Sequence, residues 1–383
     1  MHLHSRKPAR CFTGRLAQRL VARLVGARRS TLVAMLIAGA ALMLGVAVPA
    51  GAQQVVKMTV TAGHPPVFAW VRLIDEFYIP EVEKRVAAMG NPVKFEWTRA
   101  YGGTVAKLGA ESDALRTDIS DLGIVAAIFE AGKFPLEQVS LMTPFSTDDM
   151  LLINRVTYKM HQDIPELTAF WTRNNMVYLG GAAIDSYHIL TKFPMTSIDA
   201  LKGKKILAPG PAANWIRNTG AVAVSGNLNT YYNDLQSGVA DGVIVSMVPA
   251  ASAKLHEVAP FITKVNIGAQ ATGALALNRR SLEKLPKAVQ NVMIEVGQAY
   301  GERFARVQME TADQALKTMA SAGAKISEFS PDERRRWAEV LPPLAREWAT
   351  ELDGKGLAGS KVLKAYVEGL SGAGVKFPRD WTR

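Results

Sequence analysis

Residues 55–62 read V-V-K-M-T-V-T-A, residues 68–89 place apolar side chains at helical spacing before Gly90, and residues 93–98 read V-K-F-E-W-T. The first and last stretches alternate apolar with polar residues and are rich in β-branched and aromatic side chains, the pattern of half-buried strands. A strand, a helix and a strand in this order predict a β-α-β unit, with a parallel or mixed sheet covered by helices.

The pattern continues on both sides of a central break. Residues 104–117 predict a second helix and L-G-I-V at 122–125 a short buried strand. The alternation then restarts: 177–179, 187–191 and 205–208 read as strands and 212–219 as a helix, which makes a second α/β unit. Between Leu282 and Ala322 the residues Val289, Val292, Met293, Val296, Tyr300, Phe304 and Val307 keep helical spacing, so one overlong helix is expected, bent at Gly301. Ser330-Pro331-Asp332-Glu333 combines an N-cap, a proline at the first helical position and a capping-box acid, and starts another helix. The basic run Arg334-Arg335-Arg336 is expected on a solvated helix face.

The chain has 383 residues, 48% of them hydrophobic, enough for two core-bearing units. Its formal charge of +11 points at first towards a polyanionic partner. Eight of the 45 basic residues, however, fall at positions 6 to 29, where no acid occurs, and an apolar run from Thr31 to Val48 follows. With Pro49-Ala50-Gly51-Ala52 behind it, this is the layout of a cleaved export signal over 1–52. The flanking A-G-A favours cleavage over an uncleaved anchor, and Thr31 weakens a twin-arginine reading, so general secretion is the default. Removing the eight leaves 37 basic against 34 acidic residues, and the nucleic-acid reading loses its support. The single cysteine, Cys11, lies upstream of the apolar run, so the mature chain has neither a lipid-bearing thiol nor a disulfide.

Past residue 52 there is no H-E-x-x-H, C-x-x-C, G-x-S-x-G, P-loop or G-x-G-x-x-G. His64, His161, His188 and His256 are widely spaced, and the neighbouring acids Asp148-Asp149 and Asp332-Glu333 suit solvated surface and a helix cap. No metal, cofactor or catalytic residue is expected, and the composition favours binding over catalysis.

The segment A-Y-G-G-T-V-A-K-L-G-A-E-S-D-A-L-R-T-D-I-S-D-L at 100–122 resembles the solute receptors of tripartite ATP-independent periplasmic (TRAP) transporters. So do F-P-L-E-Q-V at 134–139 with Pro144-Phe145, S-I-D-A-L-K-G-K-K-I at 197–206, L-Q-S-G-V-A-D-G at 235–242 and L-P-K-A-V-Q at 285–290. The segments follow one another in register through most of the exported chain. The resemblance implies a two-lobed periplasmic solute-binding fold, type II-like, with hinge strands and a long connecting helix. Lobe I would hold 53–182 and about 265–310, lobe II 183–264 and about 311–383 with a helical C-terminus. It also implies a periplasmic receptor, monomer or homodimer, that takes a small organic acid and delivers it to an ion-driven TRAP permease. A receptor that presents its ligand to a membrane sensor, and an exported carboxylate-dependent hydrolase or lyase on a similar fold, are the alternatives.

Two positions depart from the family's pattern. The residue after K-I is usually an arginine that grips a ligand carboxylate, and here it is Leu207; the asparagine often found three residues after D-G is here Val245. A C4-dicarboxylate held in the usual way therefore does not carry over, and the replacements tilt the expectation towards an acid with an apolar or aromatic body. Arg99 or Arg217 is the expected replacement cation; Leu207, Val245, Trp215, Tyr187 and Phe68 are the expected apolar contacts. His64 follows the first strand, where the open end of a parallel sheet faces a cleft. Trp70 is expected in the core, because residues two apart do not share a helical face with Phe68. Tyr187 or His188 is expected to face the cleft, and of Tyr231-Tyr232 one is expected against the sheet and the other towards the cleft.

Overall fold

The computed structural model describes residues 54–383; the expected export signal and Cys11 lie outside the described residues. Strands β1 (Gln54–Thr61), β2 (Val93–Ala100), β3 (Leu122–Val125), β4 (Met176–Ile184), β5 (Tyr187–Thr191), β6 (Lys205–Ala208), β7 (Val222–Ser225), β8 (Gly242–Ser246), β9 (Phe261–Lys264), β10 (Gln270–Asn278) and β11 (Lys325–Glu328) build two sheets. Their orders are β2-β1-β3-β10-β4 and β11-β9-β5-β8-β6-β7. The β-α-β reading holds: β1 and β2 pair in parallel from Gln54 opposite Val93 to Thr61 opposite Ala100.

The helix between them runs through Ala69–Leu73 and Ile79–Ala88 with one π-helical turn, Ile74–Tyr78, in the middle. Pro80 lies just beyond that turn; it has no N–H to donate, and a widened turn accommodates the gap. Residues 104–117 differ from expectation, since only Glu111–Arg116 is helical. Gly102, Gly103 and Gly109 take positive φ, and the N–H groups of Gly102 and Gly103 go to the carbonyls of His64 and Ala62 instead of to a helix. Residues 212–219 likewise give way to a 3-10 helix at Gly210–Ile216.

Two strand pairs link the sheets. β4 passes into β5 through Asp185-Ser186, and β9 passes into β10 through residues 265–269. The third connection is the helix Lys287–Ser321, which packs on β4 in one lobe and on Met247–Ser252 in the other before the chain enters β11. Gly301 lies within that continuous helix as a contact point where a bend was expected. A Cβ on Gly301 would stand 2.7 Å from Gly181 O, and one on Gly297 2.6 Å from Leu179 Cβ, so the two glycines let the helix backbone settle onto the hinge strand.

Ser330 caps its helix as expected, with its Oγ accepting from Glu333 N at 3.2 Å. Glu333 does not reach back to complete a capping box, and its carboxylate accepts from Ile198 N at 2.8 Å. Arg334 is not on a solvated face. Its guanidinium donates to Asn266 O and Phe145 O and lies 5.3 Å from the Phe145 ring, so it clamps the second hinge segment. Residues 311–383, expected with lobe II, divide in their contacts: β11 and helix Pro331–Val340 meet that lobe, while Leu344–Gly354 and Gly359–Gly372 pack against Val139–Met142, and the latter also against Met150–Asp163.

Candidate functional site

Where β1, β3, β6 and β8 reach their C-terminal ends, the lobes face each other across a cavity of about 60 Å3. The open ends of parallel strands are where an α/β sheet leaves a crevice. The first lobe contributes His64, Trp70, Ile124, Ile128, Phe129 and Thr272; the second contributes Tyr187, Pro209, Leu228, Tyr231, Val245, Ser246 and Pro249. No lysine, arginine, aspartate or glutamate lines it.

His64 is its most polar side chain. It is only 6% exposed, and its Nε2 has no hydrogen-bond partner. Its ring meets those of Phe68 and Trp70 edge-on at 5.5 and 5.3 Å and lies 6.3 Å from Phe129. Burial pushes the imidazole pKa down to about 4, so the ring is neutral at physiological pH. The loop under it is tied on three sides. Gly63 N donates to Glu111 Oε1 at 3.1 Å, Gly102 N donates to His64 O at 3.0 Å, and Asn229 of the second lobe donates to Gly63 O at 3.3 Å. Glu111 also accepts from Gly109 N at 2.8 Å, and burial pushes its carboxyl up to about 8.

Of the residues singled out from sequence, His64, Tyr187 and Val245 line the cavity, and Phe68 stacks in parallel at 4.8 Å on Trp70, which lines it. Trp70 is in the core as expected, buried within the main apolar cluster, and it lines the cavity as well. The spacing argument fails because Phe68 is the extended residue before the helix, with φ −86° and ψ 135°, so the two rings do not follow helical angles. Leu207 is fully buried and belongs to the apolar cluster of Tyr231 and Val245 beneath the cavity. Trp215 packs edge-on against Tyr187 at 5.2 Å, and its Nε1 donates to Leu141 O at 2.6 Å.

The remaining candidates lie elsewhere. His188 Nδ1 accepts from Asn266 N at 3.2 Å, and burial holds its pKa at about 3, so it braces the second hinge segment. Arg99 pairs with Asp75 at 2.9 Å and Arg217 with Glu347 at 2.7 Å, both partly exposed, and neither reaches the cavity. Tyr231 is buried and lines the cavity at once, with its hydroxyl donating to Gly226 O, while Tyr232 turns outward to Glu257. Phe129, Ser246, Pro249 and Asn229 were not singled out; Ser246 ends the β8 run that begins after Asp241, and only that position signals it.

Asp185 secures the first hinge. Its Oδ2 accepts from Met247 N and Val248 N at 2.9 and 3.3 Å, and its Oδ1 accepts from Gln308 Nε2 on the long helix at 3.1 Å. Among the described residues no helix is long and apolar enough to cross a membrane, and no group of three or more His, Cys, Asp or Glu is arranged to hold a metal ion.

Comparison with known proteins places these features in context. The family model for bacterial extracellular solute-binding proteins, family 7 (DctP), matches residues 102–351. The C4-dicarboxylate-binding periplasmic protein DctP of Rhodobacter capsulatus is 29% identical over 148 residues, which is 38% of this chain and 44% of that protein, so the match spans less than half of that relative. Among solved structures, the extracytoplasmic solute receptor DctP7 of Bordetella pertussis, which binds pyroglutamic acid, aligns over 82% of this chain and 99% of its own at 17% identity, with a TM-score of 0.70. A TRAP solute-binding protein of Rhodoferax ferrireducens in complex with copurified benzoate aligns over 83% and 98% at 18% identity, with a TM-score of 0.74. At these identities the likeness is one of fold.

Proposed function

The chain belongs to the bacterial extracellular solute-binding proteins of family 7, and from that premise we propose that it captures a compact monocarboxylic acid with an apolar body between its lobes and delivers it in the periplasm to a TRAP permease. One observation carries the ligand class: a cavity walled by apolar side chains from both lobes, with a neutral histidine and no cation. A ligand enclosed this way touches both lobes only when they close, so binding and closure about Asp185-Ser186 and residues 265–269 are one event.

The charge balance argues against a dicarboxylate. Each unpaired carboxylate taken from water into such a site costs several kcal/mol, and a second one doubles the problem with nothing to answer it. The position where the family's arginine is expected holds Leu207, 0% exposed and packed under Tyr231, so a cation is missing by construction of the second core. The cavity in this conformation, about 60 Å3, is smaller than the ~150 Å3 of an apolar cavity that admits benzene. A ring-bearing acid therefore requires the cavity to widen from this conformation.

A thermal-shift screen of the exported chain, residues 53–383, tests the reading, because a ligand that binds only the folded state raises Tm. Benzoate, pyroglutamate and short branched monocarboxylates should stabilise it, and succinate and malate should not. Stabilisation by the dicarboxylates alone contradicts the proposal.

A further inference from the structure

The acid-binding reading leaves an electrostatic question that His64 answers. A carboxylate entering this cavity meets no opposite charge, yet two buried polar side-chain atoms of its lining have no hydrogen-bond partner, His64 Nε2 and Ser246 Oγ, and of these only the histidine nitrogen can take up a proton. We propose that capture of the acid takes up one proton from solution, held between His64 Nε2 and the ligand carboxylate. The proposal rests on the reading of the ligand as an organic acid, and it adds the coupling.

The ligand arrives as the anion and a proton arrives from bulk water. The product is an imidazolium–carboxylate pair with a charge-assisted N–H···O bond, so the cavity stays neutral overall. Before binding, the imidazole is neutral because burial removes the charged form; afterwards, an anion within a few ångströms favours that form strongly.

Nothing else near His64 takes this part. The rings packed on it are Phe68, Trp70 and Phe129, and the polar groups on the opposite wall are the phenols of Tyr187 and Tyr231 and the hydroxyl of Ser246, none of them charged. Asp185 behind Ser246, raised by burial to about 6, is engaged by Met247 N, Val248 N and Gln308 Nε2. Behind its loop, Glu111 is turned to the N–H groups of Gly63 and Gly109, and Glu130 to Ser112 and Lys133. On the helix that carries Trp70, Arg72 pairs with Glu76 and Asp75 with Arg99, on the outer surface.

Calorimetric titration of residues 53–383 with benzoate, and in parallel with pyroglutamate, in buffers of low and high ionisation enthalpy reads the proton count directly. Uptake near one proton per ligand is expected, with affinity rising roughly tenfold for each unit of pH lowered between about 8 and 6. His64→Gln keeps an N–H donor but cannot titrate, so it should bind more weakly, with no proton uptake and a flat pH profile. Binding by the wild type without proton uptake overturns the coupling and leaves the proposed function standing. Proton uptake that survives in His64→Gln also overturns it, because another group then holds the proton. Absence of binding by both acids across this pH range overturns the coupling and the ligand class together.

Discussion

Asn229 Nδ2 of the second lobe donates to the backbone oxygen of Gly63 in the first lobe at 3.3 Å, directly beside the histidine that faces the cavity. The bond crosses the cleft mouth, so it exists only while the lobes are together. Closure and the placement of His64 are thereby joined in one loop.

Asn229→Ala removes that latch. A single neutral hydrogen bond contributes about 1 kcal/mol, so ligand affinity should fall about fivefold, chiefly through faster release. Stopped-flow dissociation and equilibrium titration check it; an unchanged release rate would mean the bond does not hold the closed state.

Glu111→Gln tests the support beneath the loop. The carboxyl accepts two backbone N–H bonds, and an amide can accept only one without setting N–H against N–H, so a loss of about 1–2 kcal/mol is expected. The folded-state pKa is raised from 4.5 to about 8, so the folded chain binds more protons across that range and Glu111's contribution declines as pH rises through it. The Tm gap between wild type and variant should accordingly narrow from about pH 5 to 8; a gap that widens contradicts the assignment.

His64 and His188 should stay unprotonated in the free protein. Burial lowers them to about 4 and about 3, whereas unfolded histidine titrates near 6.5, so their contribution to stability is complete above that value and is lost as pH falls below it. Histidine ring shifts followed by NMR from pH 8 to 5 should be flat for both, and a midpoint near 6.5 for either would contradict its burial.

Gly301→Ala should destabilise the protein, although alanine is the better helix former by about 1 kcal/mol in an open position. The added Cβ would lie 2.7 Å from Gly181 O, and such overpacking costs typically about 1–3 kcal/mol. A higher Tm in the variant would show that the helix is free to lift from the hinge strand.

Arg99→Ala and Arg217→Ala should leave ligand affinity at the wild-type value. Both side chains are nearly half exposed and paired at the surface, with Asp75 and Glu347, and such pairs contribute at most about 1 kcal/mol to stability. Titration of each variant decides this, and a large loss of affinity in either would restore it as the missing cation.

Much of the architecture was legible because the signals were local. Alternation placed β1, β2 and β5, and a serine followed by proline and an acid placed the Ser330 cap. The errors came where tertiary contact overrides local pattern. Residues 104–110 look helical, but Gly102 and Gly103 just before them turn their amides to the loop of His64 and Gly109 takes positive φ. Gly301 looks like a bend until its distance to Gly181 is known, and Arg334 looks solvated until Phe145 and Asn266 are brought to it from elsewhere in the chain. At the cavity, the loss of an arginine at Leu207 was readable, and the two substitute arginines were plausible by type alone. That Arg99 and Arg217 face outward is a property of strand and turn geometry, which composition does not encode. Asn229 and Phe129 carried no signal, because a latch and a wall are defined by the opposite lobe.

The most direct test of the account is native mass spectrometry of the exported protein purified from its own host, beside His64→Leu. The account predicts added mass equal to one compact monocarboxylic acid on the wild type and none on the variant. A dicarboxylic acid on the wild type, or the same compound retained by the variant, would contradict it.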